Sequence, residues 1–199
     1  MAKKESGFTN MTLILFLITF IASGALGLVY QVTKEPIAAA KLARKIEAIK
    51  EVVPEFNNVP IEEANSININ GDSVVLYPAK KDGQLVGVAI ETFTNKGFSG
   101  NIKLMAGFLP NGEIYDVSVM EHKETPGLGD KMEKSKSGFS LQLKGKNPED
   151  FKLKVRKDGG DVDAITAATI SSRAFCDAMQ RAYDVFKESE FKTASIANK

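Results

Sequence analysis

Residues 73–110 read SVVLYPAKKDGQLVGVAIETFTNKGFSGNIKLMAGFLP and contain three short β-rich runs. The runs are SVVLYPAK (73–80), QLVGVAIETFT (84–94) and NIKLMAGFLP (101–110). A turn at Asp82-Gly83 separates the first two runs, and the glycine-bearing loop TNKGFSG separates the second from the third. Runs of this length joined by such turns predict successive strands of one sheet.

The segments around these runs predict the fold class. A turn at Pro110-Asn111-Gly112 leads into EIYDVSVMEH as a fourth strand, and FKLKVRK, residues 151–157, alternates apolar and basic residues like a fifth. The polar, Asn-rich stretch from Asn57 to Asp72 is interpreted as a linker or irregular entry segment. Strands that come first and a helix from Ser171 to about Phe191 predict an α+β domain with a mainly antiparallel sheet and flanking helices.

The last helix carries a stripe of apolar side chains at helical spacing, which indicates core packing. The stripe comprises Phe175, Ala178, Met179, Ala182, Val185 and Phe186. Arg173, Asp177, Gln180 and Arg181 fall on the opposite side, and Cys176, beside the stripe, is interpreted as a small buried thiol.

The amino-terminal segment predicts a membrane anchor. Residues 8–33 carry no charge, and the middle, MTLILFLITFIASGALGLVY, holds about 20 largely apolar residues, enough to cross a bilayer as a helix. A cleaved signal peptide is the alternative, because Ala22, Ser23 and Ala25 resemble a cleavage site, but the apolar stretch is longer than a usual signal core. Positive charges flank both ends, so charge leaves the orientation open: Lys3 and Lys4 precede the segment, and Lys34, Lys41, Arg44 and Lys45 follow it.

The segment after the anchor is predicted to form a loosely amphipathic helix that Pro54 ends. Its apolar positions recur at spacings of three to five and are expected to pack on the domain or on a partner: Ile37, Leu42, Ile46, Ile49 and Val53.

Composition limits the classes of function. The 199 residues have a net charge of +1, and the lysines are spread among acidic residues. The sequence therefore shows no basic patch that would indicate nucleic-acid binding. A single cysteine excludes an internal disulfide and an all-cysteine iron–sulfur cluster, so redox chemistry would need an organic cofactor.

The stretch DAITAATISSRAF, residues 163–175, is rich in small and hydroxyl side chains just before a helix. Read alone, it is either a helix cap formed by Ser171 or Thr169, or a place where free N–H groups meet a phosphate. Nucleophilic catalysis by a threonine would need a nearby base, and His122 is the only histidine of the chain.

A second stretch, HKETPGLGDK at residues 122–131, follows the fourth predicted strand. Its Pro126-Gly127 turn and Gly129 supply positions free to take positive φ, so the loop can lie close to a flat ring or a partner backbone. Read alone, it is equally an ordinary loop, and His122 is more often structural than catalytic at a strand end.

The anchor, GFSGNIKLMAGF, HKETPGLGDK and DAITAATISS, in this order, resemble the FMN-binding G subunit of Rnf-type electron-transport complexes. The related C subunit of the sodium-pumping NADH:quinone reductase is also similar, and the resemblance covers nearly the whole chain. In this family the pattern Asp-x-x-Ser/Thr-Gly/Ala-Ala-Thr ends in a threonine that carries FMN as a phosphoester. Asp163, Thr166, Ala167, Ala168 and Thr169 occupy these positions, although the family more often has glycine where this chain has Ala167.

The resemblance implies covalent FMN on Thr169, attached by a separate flavin transferase. The further residues that it implies as cofactor contacts are Glu124, Thr125, Gly127, Leu128, Gly129, Thr166, Ala167, Ala168 and Ser171. No catalytic residue and no metal ligand is expected.

The resemblance also implies a place in the cell. Residues 1–7 would be cytoplasmic, 8–33 the single transmembrane anchor, 34–56 a juxtamembrane helix and 57–199 an extracytoplasmic FMN-binding domain on the periplasmic side of the inner (plasma) membrane. The chain would carry electrons within a ferredoxin:NAD oxidoreductase complex, coupled to ion translocation and beside other membrane subunits.

Two alternatives remain open from the sequence. One is a stand-alone, membrane-anchored flavoprotein that reduces an external acceptor. The other is a non-redox anchored binding module in which DAITAATISS is only a helix cap.

Overall fold

The computed structural model describes residues 7–69, 72–189 and 191. It divides the chain into two compact units, one that ends at Ala43 and one that begins at Arg44. Except for Gly7, the predicted cytoplasmic segment 1–7 lies outside the described residues. Positions 70–71, inside the predicted linker, position 190, inside the predicted last helix, and positions 192–199, inside the predicted domain, lie outside them as well.

Helix α1, Phe8–Val52, is the one helix among the described residues that is long and apolar enough to cross a membrane. Its apolar side chains through Val32 are exposed, as expected for a segment with no partner inside its own unit. The helix continues through Pro36 and ends two residues before Pro54. Of the apolar positions predicted in its second half, Ile49 is buried, whereas Ile37, Leu42 and Ile46 are exposed; Val53, just beyond the helix, is buried as well.

Five strands form one antiparallel sheet, ordered as they occur in the chain. The strands are β1 (Asn65–Ile69), β2 (Asp72–Lys81), β3 (Gln84–Gly97), β4 (Gly100–Phe108) and β5 (Ile114–Glu121). Strands β2 to β5 and their turns coincide with the four runs predicted from residues 73–122. The predicted α+β class with an antiparallel sheet is confirmed.

The interpretation of residues 57–72 as a linker is wrong in one part, because β1 lies inside it. Residues Asn65–Ile69 pair with β2 from Asn65↔Leu76 to Ile69↔Asp72. The strand is polar because it lies at the edge of the sheet, where backbone hydrogen bonds rather than burial hold it in place.

The prediction of a strand at residues 151–157 is also wrong. Leu153 and Val155 are buried, but the segment makes a single bridge, Val155↔Val162, and turns into a short 3-10 helix at Arg156–Asp158. An alternating pattern shows only which side chains face the core. An extended segment can show this pattern without pairing to a neighbouring strand.

Helix α2, Thr169–Glu188, covers one face of the sheet. All six residues of its predicted apolar stripe are buried, and so is Cys176, whose pKa burial raises to about 12. The strands contribute alternate side chains to this core, as a pleated strand must. Those of β3 and β4 are Val88, Ile90, Ile102, Leu104, Ala106 and Phe108.

The other face of the sheet is covered by the last turns of α1 and the residue after it. Ala48, Ile49, Val52 and Val53 pack against Tyr77, Ala79, Ala89 and Met105. The approach is closest at Gly107, where a Cβ would lie 1.6 Å from the carbonyl oxygen of Val52. Lys45 also pairs with Glu91 at 2.8 Å. The end of α1 is therefore a built-in layer of the second unit.

Candidate functional site

A cavity of about 330 Å³ lies where three segments of the second unit meet. The segments are the β3–β4 turn, the loop after β5, and the residues that lead into α2. Its lining consists of Phe98, Glu124, Thr125, Leu128, Gly129, Ala167, Ala168, Thr169, Ile170 and Ser171. The two stretches singled out in the sequence, HKETPGLGDK and DAITAATISS, thus form one site.

The start of α2 leaves its first backbone donors available. The N-cap position is Ala168, and among the described residues no side chain caps it. Of the two interpretations left open by the sequence, the helix cap formed by Ser171 or Thr169 is therefore wrong. Since the first N–H groups of a helix have no partner within it, Thr169, Ile170 and Ser171 bring uncapped donors and the positive end of the helix dipole to the cavity.

The segment before α2 is fixed by Ser172. Its Oγ accepts the backbone N–H of Ile165 at 2.9 Å and donates to the carbonyl oxygen of Ala168 at 3.0 Å. This double contact holds a tight turn in which Ala167 takes a φ of 61°. A residue with a Cβ rarely adopts this left-handed conformation, which explains why glycine suits the position.

The loop after β5 is held by a network around His122. The Nδ1 atom of His122 accepts the backbone N–H of Glu124 at 3.1 Å, so the ring proton of the neutral side chain lies on Nε2. Nε2 then donates to Glu133 Oε1 at 2.6 Å. Because His122 does not line the cavity, its place in the structure supports a structural role.

Two carboxylates stabilise the same loop. The hydrogen bond from His122, followed by the bond from Lys136, holds the pKa of Glu133 below its ordinary value of 4.5 against the effect of burial. The backbone N–H of Gly127, followed by Lys136, likewise lowers the pKa of Asp130 from 3.8. Both side chains therefore remain ionised and bonded at neutral pH.

Glu124 joins all three walls of the cavity. Its side chain is 4% exposed, its Oε1 accepts the backbone N–H of Ser99 at 2.9 Å, and its Oε2 accepts the hydroxyl of Ser171. The backbone of Gly129 packs so closely against these side chains that a Cβ at this position would lie 2.5 Å from Ser171 Oγ and 2.8 Å from Glu124.

The two loop glycines differ in their physical role. Gly127 has a φ of 78° in open space, as the sequence predicts, and it does not line the cavity. Gly129 does not have positive φ, contrary to the expectation. It is required because the backbone passes directly against Ser171 and Glu124.

Apolar side chains at the mouth of the cavity were missed from the sequence. Phe98 is 67% exposed in the β3–β4 turn and Ile170 is 48% exposed in the first turn of α2. A large aromatic residue inside the glycine-bearing turn KGFSG is an available signal, because such turns usually carry small polar residues. Together with Leu128, these residues give the cavity an apolar surface suited to a flat ring.

Eight of the ten residues named from the resemblance line the cavity. The exceptions are Gly127 and Thr166; the exposed Thr166 lines a different cavity, with Gln142 and Asp163. Within residues 7–69, 72–189 and 191, no group of three or more His, Cys, Asp or Glu side chains could hold a metal ion.

Comparison with known proteins identifies the family. The chain is 35% identical over 184 residues to the G subunit of the ion-translocating oxidoreductase complex of Vibrio cholerae serotype O1 (strain M66-2), covering 86% of this chain and 87% of the relative. The chain belongs to the family of G subunits of ion-translocating oxidoreductase complexes.

Further relatives carry the same name. The G subunit of Haemophilus influenzae (strain PittEE) is 37% identical over 179 residues, covering 84% of this chain and 83% of the relative. The G subunit of Shewanella baltica (strain OS223) is 31% identical over 193 residues, covering 92% of this chain and 91% of the relative. The FMN-binding domain matches residues 97–184, a range that contains every residue lining the cavity, and this match supports FMN binding by the chain.

Proposed function

We propose that this chain is an electron-carrier subunit of a membrane-bound, Rnf-type ferredoxin:NAD oxidoreductase complex. It holds FMN covalently through a phosphoester on Thr169 and takes part in electron transfer coupled to ion translocation. It is a redox subunit rather than a catalyst on its own. The names of the relatives and the FMN-binding domain match support the electron-carrier role.

The position of Thr169 is the observation that carries the proposal. Thr169 is the first residue of α2, is half-buried, and lines the cavity at an uncapped helix start. A phosphodiester on its hydroxyl would lie beside free N–H groups and the positive end of the helix, which favour an anion. No other hydroxyl of the DAITAATISS stretch combines these properties. Ser171 and Ser172 are bonded to Glu124 and to the turn, and Thr166 lies outside the cavity.

The remaining lining residues fit a flavin ring. Phe98, Leu128 and Ile170 offer apolar contact, while Thr125 adds a hydroxyl group at the same cavity. The cavity is at the lower end of the range of about 300 to 1,000 Å³ for ligand pockets, so part of the group stays exposed. When bound, FMN supplies the electron-accepting and electron-donating chemistry, and the protein binds and orients it.

Attachment requires a second protein. Among the residues that line the cavity in the described chain there is no histidine to activate the Thr169 hydroxyl. In line with the resemblance to the family, a flavin transferase makes the bond, and the small side chains of Ala167 and Ala168 leave Thr169 accessible to it. Covalent tethering suits a flavin at an exposed membrane face, where a dissociable cofactor would be diluted away.

Helix α1 anchors the chain in the inner membrane, with the FMN-binding domain on the periplasmic side. Gly24 and Gly27 have open space around them, which suits close contact with helices of other membrane subunits.

Purification of the full chain from cells that express the remaining subunits and a flavin transferase tests the proposal. We expect a fluorescent flavin band after a denaturing gel, because only covalent flavin survives denaturation, and copurification of other membrane subunits. A non-fluorescent band would contradict covalent attachment. A fluorescent chain that purifies without partners would indicate a stand-alone flavoprotein instead.

A further inference from the structure

The cavity contains a buried charge whose effect on a bound flavin can be derived from its surroundings. Of the described residues that line the cavity, Glu124 alone has an ionisable side chain. Both carboxylate oxygens accept hydrogen bonds, from Ser99 N–H and from the Ser171 hydroxyl. The donors are neutral, so they solvate the negative charge without cancelling it.

A fixed negative charge opposes the arrival of another. Each electron that enters a flavin adds one negative charge unless a proton follows it. Because Glu124 is only 4% exposed, water screens its charge poorly, so the reduced flavin is disfavoured relative to the oxidised flavin. The positive end of α2 acts in the opposite direction at the same cavity.

The position of Glu124 depends on His122. The backbone N–H of Glu124 has His122 Nδ1 as its acceptor, and His122 is in turn oriented by Glu133. Without that acceptor, the Glu124 backbone would be free to shift, and the carboxylate would move away from Ser99 and Ser171.

We propose that the Glu124 carboxylate lowers the reduction potential of the flavin held in this cavity, and that His122 is the positioning residue that keeps it there. This proposal rests on the proposed function, because it requires the flavin to be present. Neither role follows from binding the flavin alone.

The variant Glu124→Gln separates charge from shape. Its amide oxygen can accept the Ser99 N–H, and its amide nitrogen can donate to Ser171 Oγ, so the walls stay joined while the charge is lost. We expect Glu124→Gln to retain covalent flavin on a denaturing gel and to shift the midpoint potential to more positive values. The measurement is a spectroelectrochemical titration of the full chain in detergent.

His122 has a matched pair of variants. An asparagine places its side-chain oxygen near the position of Nδ1 and preserves the acceptor for Glu124 N–H, whereas a glutamine reaches the position of Nε2 and does not. We expect His122→Gln to shift the potential in the same direction as Glu124→Gln, and His122→Asn to leave it near that of the wild type. In the Glu124→Gln background, His122→Gln should have no further effect, since the charge it positions is gone.

The outcomes separate the two proposals. A wild-type chain without covalent flavin contradicts the proposed function. A flavin-loaded Glu124→Gln chain whose potential is unchanged or more negative overturns the role of Glu124. Loss of flavin from Glu124→Gln overturns it as well, since the carboxylate would then hold the cofactor rather than tune it. Equal effects of the two His122 variants, or an undiminished effect of His122→Gln in the Glu124→Gln background, overturn the positioning role.

Discussion

At the scale of single residues, Ala167 stores backbone strain next to the proposed attachment site. Its φ of 61° costs a residue with a Cβ about 1–2 kcal/mol, a cost that glycine does not have. The strain is maintained because Ser172 fixes the turn from both sides. The sequence pattern alone gives the residue type at this position but not the backbone conformation that makes glycine suitable there.

We expect Ala167→Gly to leave the free energy of unfolding unchanged or to raise it by about 1 kcal/mol. Relief of strain outweighs the greater conformational freedom that glycine has in the unfolded chain, worth about 0.4–1 kcal/mol. The matched control is Ala174→Gly, inside α2, where glycine in place of alanine should destabilise the protein by about 1 kcal/mol. Denaturant unfolding of both variants decides, and equal destabilisation would show that Ala167 is not strained.

The sequence predicts the polar and glycine residues of the candidate site but not its apolar ones. Thr169, Glu124 and Gly129 lie in HKETPGLGDK and DAITAATISS, two short stretches whose unusual residue types stand out in the sequence. Phe98 and Ile170 contribute only apolar surface, so no spacing of polar groups points to them. The hydrogen bond from Glu124 N–H to His122 also escapes a sequence pattern, because it uses a backbone atom.

At the scale of elements, the sheet is covered by helices on both faces. Strands β2 to β5 were predictable because their alternation and turns are local properties. Strand β1 was missed because its polar residues show no burial pattern, although they pair with β2. Residues 151–157 were misassigned because they show a burial pattern but have no strand to pair with beyond a single bridge. The layer formed by the end of α1 depends on a glycine in β4, which no local pattern of either segment reveals.

Gly107→Ala tests the layer formed by α1. The added Cβ would overlap the Val52 carbonyl oxygen at 1.6 Å, so the end of the helix must lift from the sheet. We expect a loss of about 1–3 kcal/mol in the free energy of unfolding, as for other overpacked sites. Gly138→Ala is the control, because its nearest neighbour would lie 3.9 Å away in a loop. A Gly107→Ala chain as stable as Gly138→Ala would show that α1 does not pack as described.

The loop after β5 should be sensitive to acid through Glu133. The pKa of this carboxyl is lowered in the folded protein, first by His122, so it stabilises the fold above its ordinary value of 4.5 and the contribution is lost as the pH falls through the folded pKa. We expect Glu133→Gln to be less stable than the wild type at pH 7, with a difference that shrinks below pH 4.5. Melting temperatures across this range test it, and a difference that grows on acidification would have the wrong sign.

At the scale of the whole molecule, the chain joins an apolar helix to a domain that holds the candidate flavin site. Helix α1 has the length and composition to span a membrane, and its amino-terminal part carries exposed apolar side chains whose contact with water is unfavourable. A cleaved signal peptide would remove this part, whereas an anchor keeps it.

We therefore expect the mature protein to retain residues 11–30 and to remain with the membrane fraction after a carbonate wash. Retention follows from the apolar area of an uncleaved spanning helix, which alkaline carbonate does not extract. Amino-terminal sequencing of the purified chain is the direct measurement. A mature chain that begins after Ala25, found in the soluble fraction, would contradict the anchor.

The central claim is that Thr169 carries the flavin, and peptide mass spectrometry of Thr169→Ala and Thr166→Ala tests it most directly. Both variants are expressed in full length with a flavin transferase, and Thr166 is the matched control because it lies in the same motif but outside the cavity. We predict that Thr169→Ala loses the FMN adduct while it remains folded, and that Thr166→Ala keeps the adduct on the peptide that contains Thr169. An FMN adduct that persists in Thr169→Ala, or one lost only from Thr166→Ala, would contradict the account.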